Sequence, residues 1–283
     1  MVLRYPGSKT RKLKALAPYL RWLTAGESEF ADVCVGGGSV LIYVAANYPS
    51  LRLIANDRDP LITNFWKTVV NKDKMERLCD RLRTPPTHKI RARFLAKLPD
   101  DPVELAYAAV VLTRTSYSGI LTAKMFAGGR DGSRVRRIDN RGDPRFLIEQ
   151  VRRYHQLLAG RTSVTQSTAQ SFASRHYEVP MFIDPPYFNI GGKLYRFAPS
   201  PAEHAAIASS LRRARKALVT YDACSEIEWM YGGCQIDRIP VRYYAGRNSR
   251  RRYAFKQDHE FIITLDRDKK PGAEMDSTEA CLW

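Results

Sequence analysis

No stretch of this sequence approaches the ~18 consecutive apolar residues that a membrane-spanning helix needs, and its opening, Met1 to Pro6, is no signal peptide. The chain is therefore expected to stay off the membrane and to work in the cytoplasm. Cysteine is sparse: Cys34, Cys79, Cys224, Cys234 and Cys281 are odd in number, scattered, and include no Cys-x-x-Cys pair. That excludes a disulfide scaffold and a zinc ribbon and points to a reducing compartment. The histidines (His88, His155, His176, His204 and His259) form no His-x-x-x-His or His-Glu-x-x-His array, so no metal centre is expected. Acid is in short supply as well. The 29 Asp and Glu stand against 46 Lys and Arg, leaving a formal charge of +17 on 283 residues. A globular chain this basic is built to meet a polyanion, and nucleic acid is the usual one.

What is present is an alternation of strand and helix signals. Lys9 to Ala25 carries Leu13, Leu16, Leu20 and Leu23 at helical spacing. Ser28 to Val35 reads as a short strand that runs into Gly36-Gly37-Gly38, and a small-residue helix follows from Ser39 to Asn47. Leu51 to Ala55 reads as a second buried strand ending at Asn56-Asp57, with a helix from Pro60 to Val70. Strand, glycine turn, helix, strand, acid, helix is a doubly wound α/β unit. Residues 71–160 change character: they are charged, poor in strand signals, and hold helices at Asp73 to Arg83 and Pro102 to Arg114. A Gly-, Asp- and Arg-rich segment lies between Ala127 and Arg145. Strands resume at Ser163 to Gln166, Val179 to Ile183, Lys216 to Tyr221, Gln235 to Tyr244 and His259 to Leu265. Pro201 to Arg215 is a helix that opens on a capping box, Ser200 with Glu203. The expected organisation is a catalytic domain over 1–70 and 161–265, an insertion over 71–160, and a polar tail over 266–283.

Three segments carry chemistry. Val35-Gly36-Gly37-Gly38-Ser39 sits between a strand and a helix, where glycines admit a ligand close to the backbone and the helix start offers free N–H groups. Asp57 follows 21 residues after Gly36 at the end of the next strand, where nucleotide-binding folds place an acid for ribose hydroxyls. Capping of the helix at Pro60 would be the plainer use of that Asp. The third segment is Asp184-Pro185-Pro186-Tyr187, after the apolar run Met181-Phe182-Ile183. Two prolines stiffen the turn and remove two backbone donors, so a carboxylate stands beside unengaged carbonyls. That set suits an exocyclic amino group, with Tyr187 as a flat face for a planar base. As a plainer alternative, the segment is a proline-rich turn that ends a strand.

In order, Tyr5-Pro6-Gly7-Ser8-Lys9, Val35-Gly36-Gly37-Gly38-Ser39-Val40, Asn56-Asp57-Arg58-Asp59 and Asp184-Pro185-Pro186-Tyr187 resemble the alpha group of amino-methyltransferases, the Dam-like DNA adenine-N6 methyltransferases. The resemblance covers the chain from about Met1 to Leu265. It implies a Rossmann-like methyltransferase sheet with a mostly helical inserted target-recognition domain, and S-adenosyl-L-methionine as cofactor. Tyr5, Gly7, Ser8, Lys9, Asp32, Val35, Gly36, Gly38, Asp57 and Asp184 would then hold the cofactor, Asp57 on its ribose. Asp184, Pro185, Pro186 and Tyr187 would form the catalytic turn, acting on an adenine flipped out of double-stranded DNA. Arg114, Tyr117, Ser118 and Thr122 would belong to the DNA side. So would the basic groups Arg134, Arg136 and Arg137 and Arg250, Arg251 and Arg252. Where GATC-specific members carry Asn-Gly and then Arg, this chain has Ser118-Gly119 and Thr122. Where they carry Glu-Pro-Phe, it has Asp32-Val33-Cys34. The resemblance implies a monomer, and allows a cognate restriction endonuclease as partner in a restriction-modification system. An RNA adenine-N6 methyltransferase and a silent DNA-binding relative are the alternatives.

Overall fold

The computed structural model of the protein describes residues 1–116, 119–121, 142–241 and 258–268. Seven strands form one sheet: β1 (Glu29–Asp32), β2 (Arg52–Asp57), β3 (Thr162–Gln166), β4 (Met181–Ile183), β5 (Lys216–Asp222), β6 (Gln235–Val241) and β7 (Asp258–Asp266). Their order is β3-β2-β1-β4-β5-β7-β6, parallel from β3 to β5, with β7 antiparallel to both of its neighbours. The chain winds outward from β1 to β2 and β3, then returns to lay β4 against the other side of β1. That reversal opens a crevice at the carboxyl ends of β1 and β4, where open α/β sheets bind ligands.

Alternation along the strands puts one apolar set on each face. Phe30, Leu53, Phe182, Leu218 and Ile262 join one core, and Ala31, Ile183, Val219 and Ile263 join the other. Helices cover both faces. On the first lie α1 (Leu13–Thr24), α2 (Ser39–Asn47) and α3 (Pro60–Val70). The second is covered by helices over Ala169–Arg175, Pro201–Leu211 and Ser225–Met230. This is the doubly wound α/β class expected from the alternating pattern.

Several boundaries are shorter than expected. β1 ends at Asp32 and not at Val35, because the chain turns away after Val33 and reaches Gly36 and Gly38 at φ of +45° and +73°. The first helix divides: Lys9–Arg11 is a 3-10 turn, and α1 starts only at Leu13. The helix at Pro201 stops at Leu211, and its capping box at Ser200 and Glu203 is formed in both directions. The helix at Pro60 is capped by Asp59, whose side chain accepts from the Leu61 N–H, so Asp57 is not its cap.

Where it is described, the 71–160 stretch is helical: Lys72–Leu82, His88–Ala96, Pro102–Thr115 and Pro144–Leu158. These helices do not build a separate core. Leu78, Val110, Leu147 and Val151 are buried in the same cluster as Trp66 and Phe30. The helix at Pro144 carries the same start signal as the one at Pro102, an Asp cap before a first-turn proline. Among the described residues, no helix is long and apolar enough to cross a membrane.

Candidate active site

The crevice between β1 and β4 is flanked by two adjoining clefts. The larger, about 700 Å³, is lined by Tyr5, Cys34, Asp57, Asp59, Ser167, Asp184, Pro185, Pro186 and Tyr195 among others. A second of about 360 Å³ is lined by Tyr5, Gly7, Ser8, Lys9, Asp32, Val35, Gly36, Asp184 and Tyr195 among others. Tyr5, Cys34, Asp184 and Tyr195 line both and mark the boundary between them.

Asp184 follows β4 directly, and both of its oxygens are engaged. Oδ1 accepts from the Thr220 hydroxyl at 2.7 Å, and Oδ2 accepts from the ammonium of Lys9, which also donates to the Gly7 carbonyl at 3.1 Å. Lys9 is buried, and its charge lies 5.2 Å above the Tyr187 ring. A second ion pair lies three residues further along the same turn, where Lys12 meets the buried Glu260 of β7. The N-terminal segment is thus held to the sheet by two lysines on two acids. The turn after Asp184 is fixed in turn by Asp222, which accepts from the N–H groups of Phe188 and Asn189 at 3.0 and 3.2 Å.

Two further acids converge from β1 and β2. Asp32 is buried and accepts from the Leu41 N–H at 3.1 Å, holding α2 at the end of β1. Asp57 accepts from Gly36 and from Asp59, each at 2.9 Å. Burial pushes the Asp32 carboxyl up to about 8, with the nearby Asp184 charge adding to it. Burial also raises Asp57 to about 7, against the pull of its two N–H partners. Asp184 is raised by burial too, and the Lys9 charge opposes that. Asp184 alone is paired with Lys9, while burial holds Asp32 and Asp57 largely in their neutral forms near pH 7. Among the described residues, no group of acids, histidines and cysteines is arranged to hold a metal ion.

Gly36 lines the smaller cleft, and Gly36 and Gly38 are also required by packing within the protein. A Cβ on Gly36 would stand 2.8 Å from the Tyr5 ring, and one on Gly38 would stand 2.2 Å from Trp66, whose indole N–H donates to the Gly36 carbonyl at 3.0 Å. The space that these glycines leave is filled by protein aromatics. Gly38 faces Trp66 and lines neither cleft.

Other sequence-derived positions lie elsewhere. Arg114, expected on the DNA side, points inward: its guanidinium donates to the carbonyls of Met1 and, at 2.8 Å, Val2, and is almost wholly buried. A helix-terminal arginine at the chain start has unsatisfied carbonyls within reach, and these claim it. Tyr117, Ser118, Thr122, Arg134, Arg136, Arg137, Arg250, Arg251 and Arg252 lie outside the described residues.

Sequence reasoning missed Tyr195, Cys34, Asp59 and the Ser167-Thr168 pair. Ser167 is brought in by Asn56, whose buried side chain donates to the carbonyls of Val33 and Ser167 at 2.9 and 3.0 Å. The Asn56-Asp57 doublet was the available signal: one residue ties strand ends together while the other holds the glycine turn.

A sheet of this order, with acids and a glycine turn at its switch point, defines a doubly wound α/β protein of the class in which ligands bind at that point. The family model for the D12 class N6 adenine-specific DNA methyltransferases matches residues 5–231, and the chain belongs to that family. A search of curated proteins finds no match. Among solved structures, the chain is similar to a precorrin 8w decarboxylase of Methanobacterium thermoautotrophicum. Identity is 12%, with 92% of this chain and 93% of that one covered and a TM-score of 0.40. It is also similar to a precorrin-6y C5,15-methyltransferase of Geobacter metallireducens, at 10% identity, 90% and 88% coverage and a TM-score of 0.39. Likenesses this loose do not bear on substrate.

Proposed function

We propose that the protein methylates the N6 amino group of adenine in duplex DNA, with Asp184 as the catalytic carboxylate and S-adenosyl-L-methionine as the methyl donor. The observation that carries this reading is the buried Lys9–Asp184 pair on the boundary between the two clefts. A cofactor lying across that boundary would keep its charged sulfur near Asp184 and its nucleoside near Asp57. The residues present fit such a group. The Asp184 carboxylate stands at the boundary for the sulfur side, and Asp57 and Asp59 line the larger cleft for the nucleoside side.

When bound, S-adenosyl-L-methionine supplies an electrophilic methyl group on a positively charged sulfur. The chain's own residues do the rest. Adenine N6 is engaged in base pairing within a duplex, so the target base leaves the stack before it can reach Asp184. Tyr187 offers its ring face to the extruded base. Asp184 and the Pro185 carbonyl accept the two amino hydrogens and draw the nitrogen lone pair out of conjugation. Asp184 also stabilises the positive charge that develops on that nitrogen until one amino hydrogen is released as a proton to solvent. Lys9 and Thr220 fix the rotamer of the carboxylate and leave a lone pair on each oxygen for the substrate. The excess of basic residues neutralises phosphates, so DNA affinity falls steeply with salt.

Tritium transfer from labelled cofactor tests the reading. Label is expected in duplex DNA and absent from structured RNA. Transfer to RNA alone, or to neither, overturns it.

A further inference from the structure

Asp59 has an oxygen with no partner. It is the N-cap of α3, and Oδ1 accepts the Leu61 N–H at 2.9 Å. Oδ2 makes no hydrogen bond and is buried from water. The residue is 2% exposed and lines the larger cleft beside Asp57. Arg196 is the nearby cation, 3.5 Å from Oδ1, which is beyond ordinary hydrogen-bond length, so it faces the carboxylate by charge without saturating it. Buried carboxylate oxygens are almost always satisfied, and one left open beside a cleft is short of a donor.

Asp57 stands in a different condition. Oδ1 accepts the Asp59 N–H and Oδ2 accepts the Gly36 N–H, so each oxygen already braces the glycine turn against the start of α3. The two acids are therefore not equivalent towards a nucleoside. Each oxygen of Asp57 has one lone pair left, whereas Oδ2 of Asp59, a residue lining the same cleft, has no partner at all.

Resting on the cofactor reading above, we infer that Asp59 is a cofactor-binding residue whose Oδ2 accepts a hydrogen bond from a ribose hydroxyl of the nucleoside, sharing with Asp57 the selection of a ribonucleoside. The donor is a hydroxyl because that is what an adenosine-type ligand presents beside the acid at the end of the second strand. Burial raises the Asp59 carboxyl, and the Arg196 charge opposes the rise.

Asp59→Ser separates this role from helix capping. Serine caps a helix as well as aspartate does but has no second oxygen. Calorimetric binding of S-adenosylhomocysteine and its 2′-deoxy and 3′-deoxy analogues to the full-length protein is the experiment. The parent chain is expected to bind the unmodified nucleoside and to lose about tenfold or more for one of the two deoxy analogues. Asp59→Ser is expected to bind the unmodified nucleoside weaker by a similar factor and to show no further loss for that analogue, while its melting temperature stays near the parent's. If Asp59→Ser binds like the parent, or pays the full penalty for each deoxy analogue, the inference is overturned and the cofactor reading stands. If the parent chain binds none of the three, the cofactor reading falls, and this inference with it.

Discussion

Lys9 and Asp184 lie 175 positions apart in the chain and meet as a buried ion pair where the two clefts join. The lysine comes from the N-terminal turn and the acid from the end of β4, so the pair closes only when the start of the chain has packed against the sheet. Removing a buried partner leaves the other charge uncompensated. Lys9→Met is expected to cut methyl transfer by a factor on the order of 100 or more. Without the lysine charge, only the Thr220 hydrogen bond opposes burial at Asp184, so its carboxyl rises further. The acid limb of the kcat profile is expected to move to higher pH, which rate measurements across pH 6 to 9 would reveal. An unmoved limb would separate Lys9 from the ionisation of Asp184.

Asp32 and Asp57 link stability to pH. Their folded values, about 8 and about 7, stand above the ordinary 3.8. The folded chain therefore holds more protons than the unfolded chain between those limits, and the stability they contribute is lost as pH rises through 7 to 8. The cofactor-free protein is expected to melt at a lower temperature at pH 9 than at pH 6. Asp32→Asn, which can still accept from Leu41, is expected to flatten that slope. Calorimetric scans at several pH values check both expectations.

Gly38 and Gly160 share a left-handed backbone, φ +73° and +76°, but a Cβ meets Trp66 at 2.2 Å in the first and nothing within 4 Å in the second. Gly160→Ala is expected to cost about 1 kcal/mol, the backbone strain alone. Gly38→Ala adds a clash with a fully buried indole and is expected to cost on the order of 3 kcal/mol or more. Urea unfolding of the two variants measures the difference, and equal costs would show that Trp66 yields freely.

Arg114 ties the end of its helix to the first two residues of the chain. Arg114→Met is expected to lower stability by about 2–4 kcal/mol by leaving buried carbonyls without donors. The slope of DNA affinity against salt is expected to stay unchanged, because this guanidinium is not placed to neutralise a phosphate. A shallower slope would return Arg114 to the DNA surface.

What was legible in the sequence was whatever depends on local pattern. The short strand within Ser28 to Val35, the proline start at Pro60 and the Ser200–Glu203 box are set by neighbours in the chain, and all three read through to structure. The Asp184-Pro185-Pro186-Tyr187 turn and Asp57 were visible because an acid at a strand end is local too. Contacts between distant residues were not legible. Nothing near Gly36 announces that Tyr5 fills the space above it, nor does any motif link Tyr195 to Gly7, where its hydroxyl would stand 2.5 Å from an added Cβ. Arg114 was misread for the same reason. The resemblance put it on the DNA side, and only the folded chain reveals two carbonyls beside it.

The most direct test of the central claim is digestion of methylated duplex DNA to nucleosides after reaction with labelled S-adenosyl-L-methionine, for the parent chain and for Asp184→Asn. The asparagine keeps the shape of the turn but loses the charge that steadies a developing ammonium. Label is expected in N6-methyladenine for the parent, and at least about a hundredfold less for the variant, with cofactor binding retained in part. Near-parental labelling by Asp184→Asn, or parental label in any other nucleoside, would contradict the account.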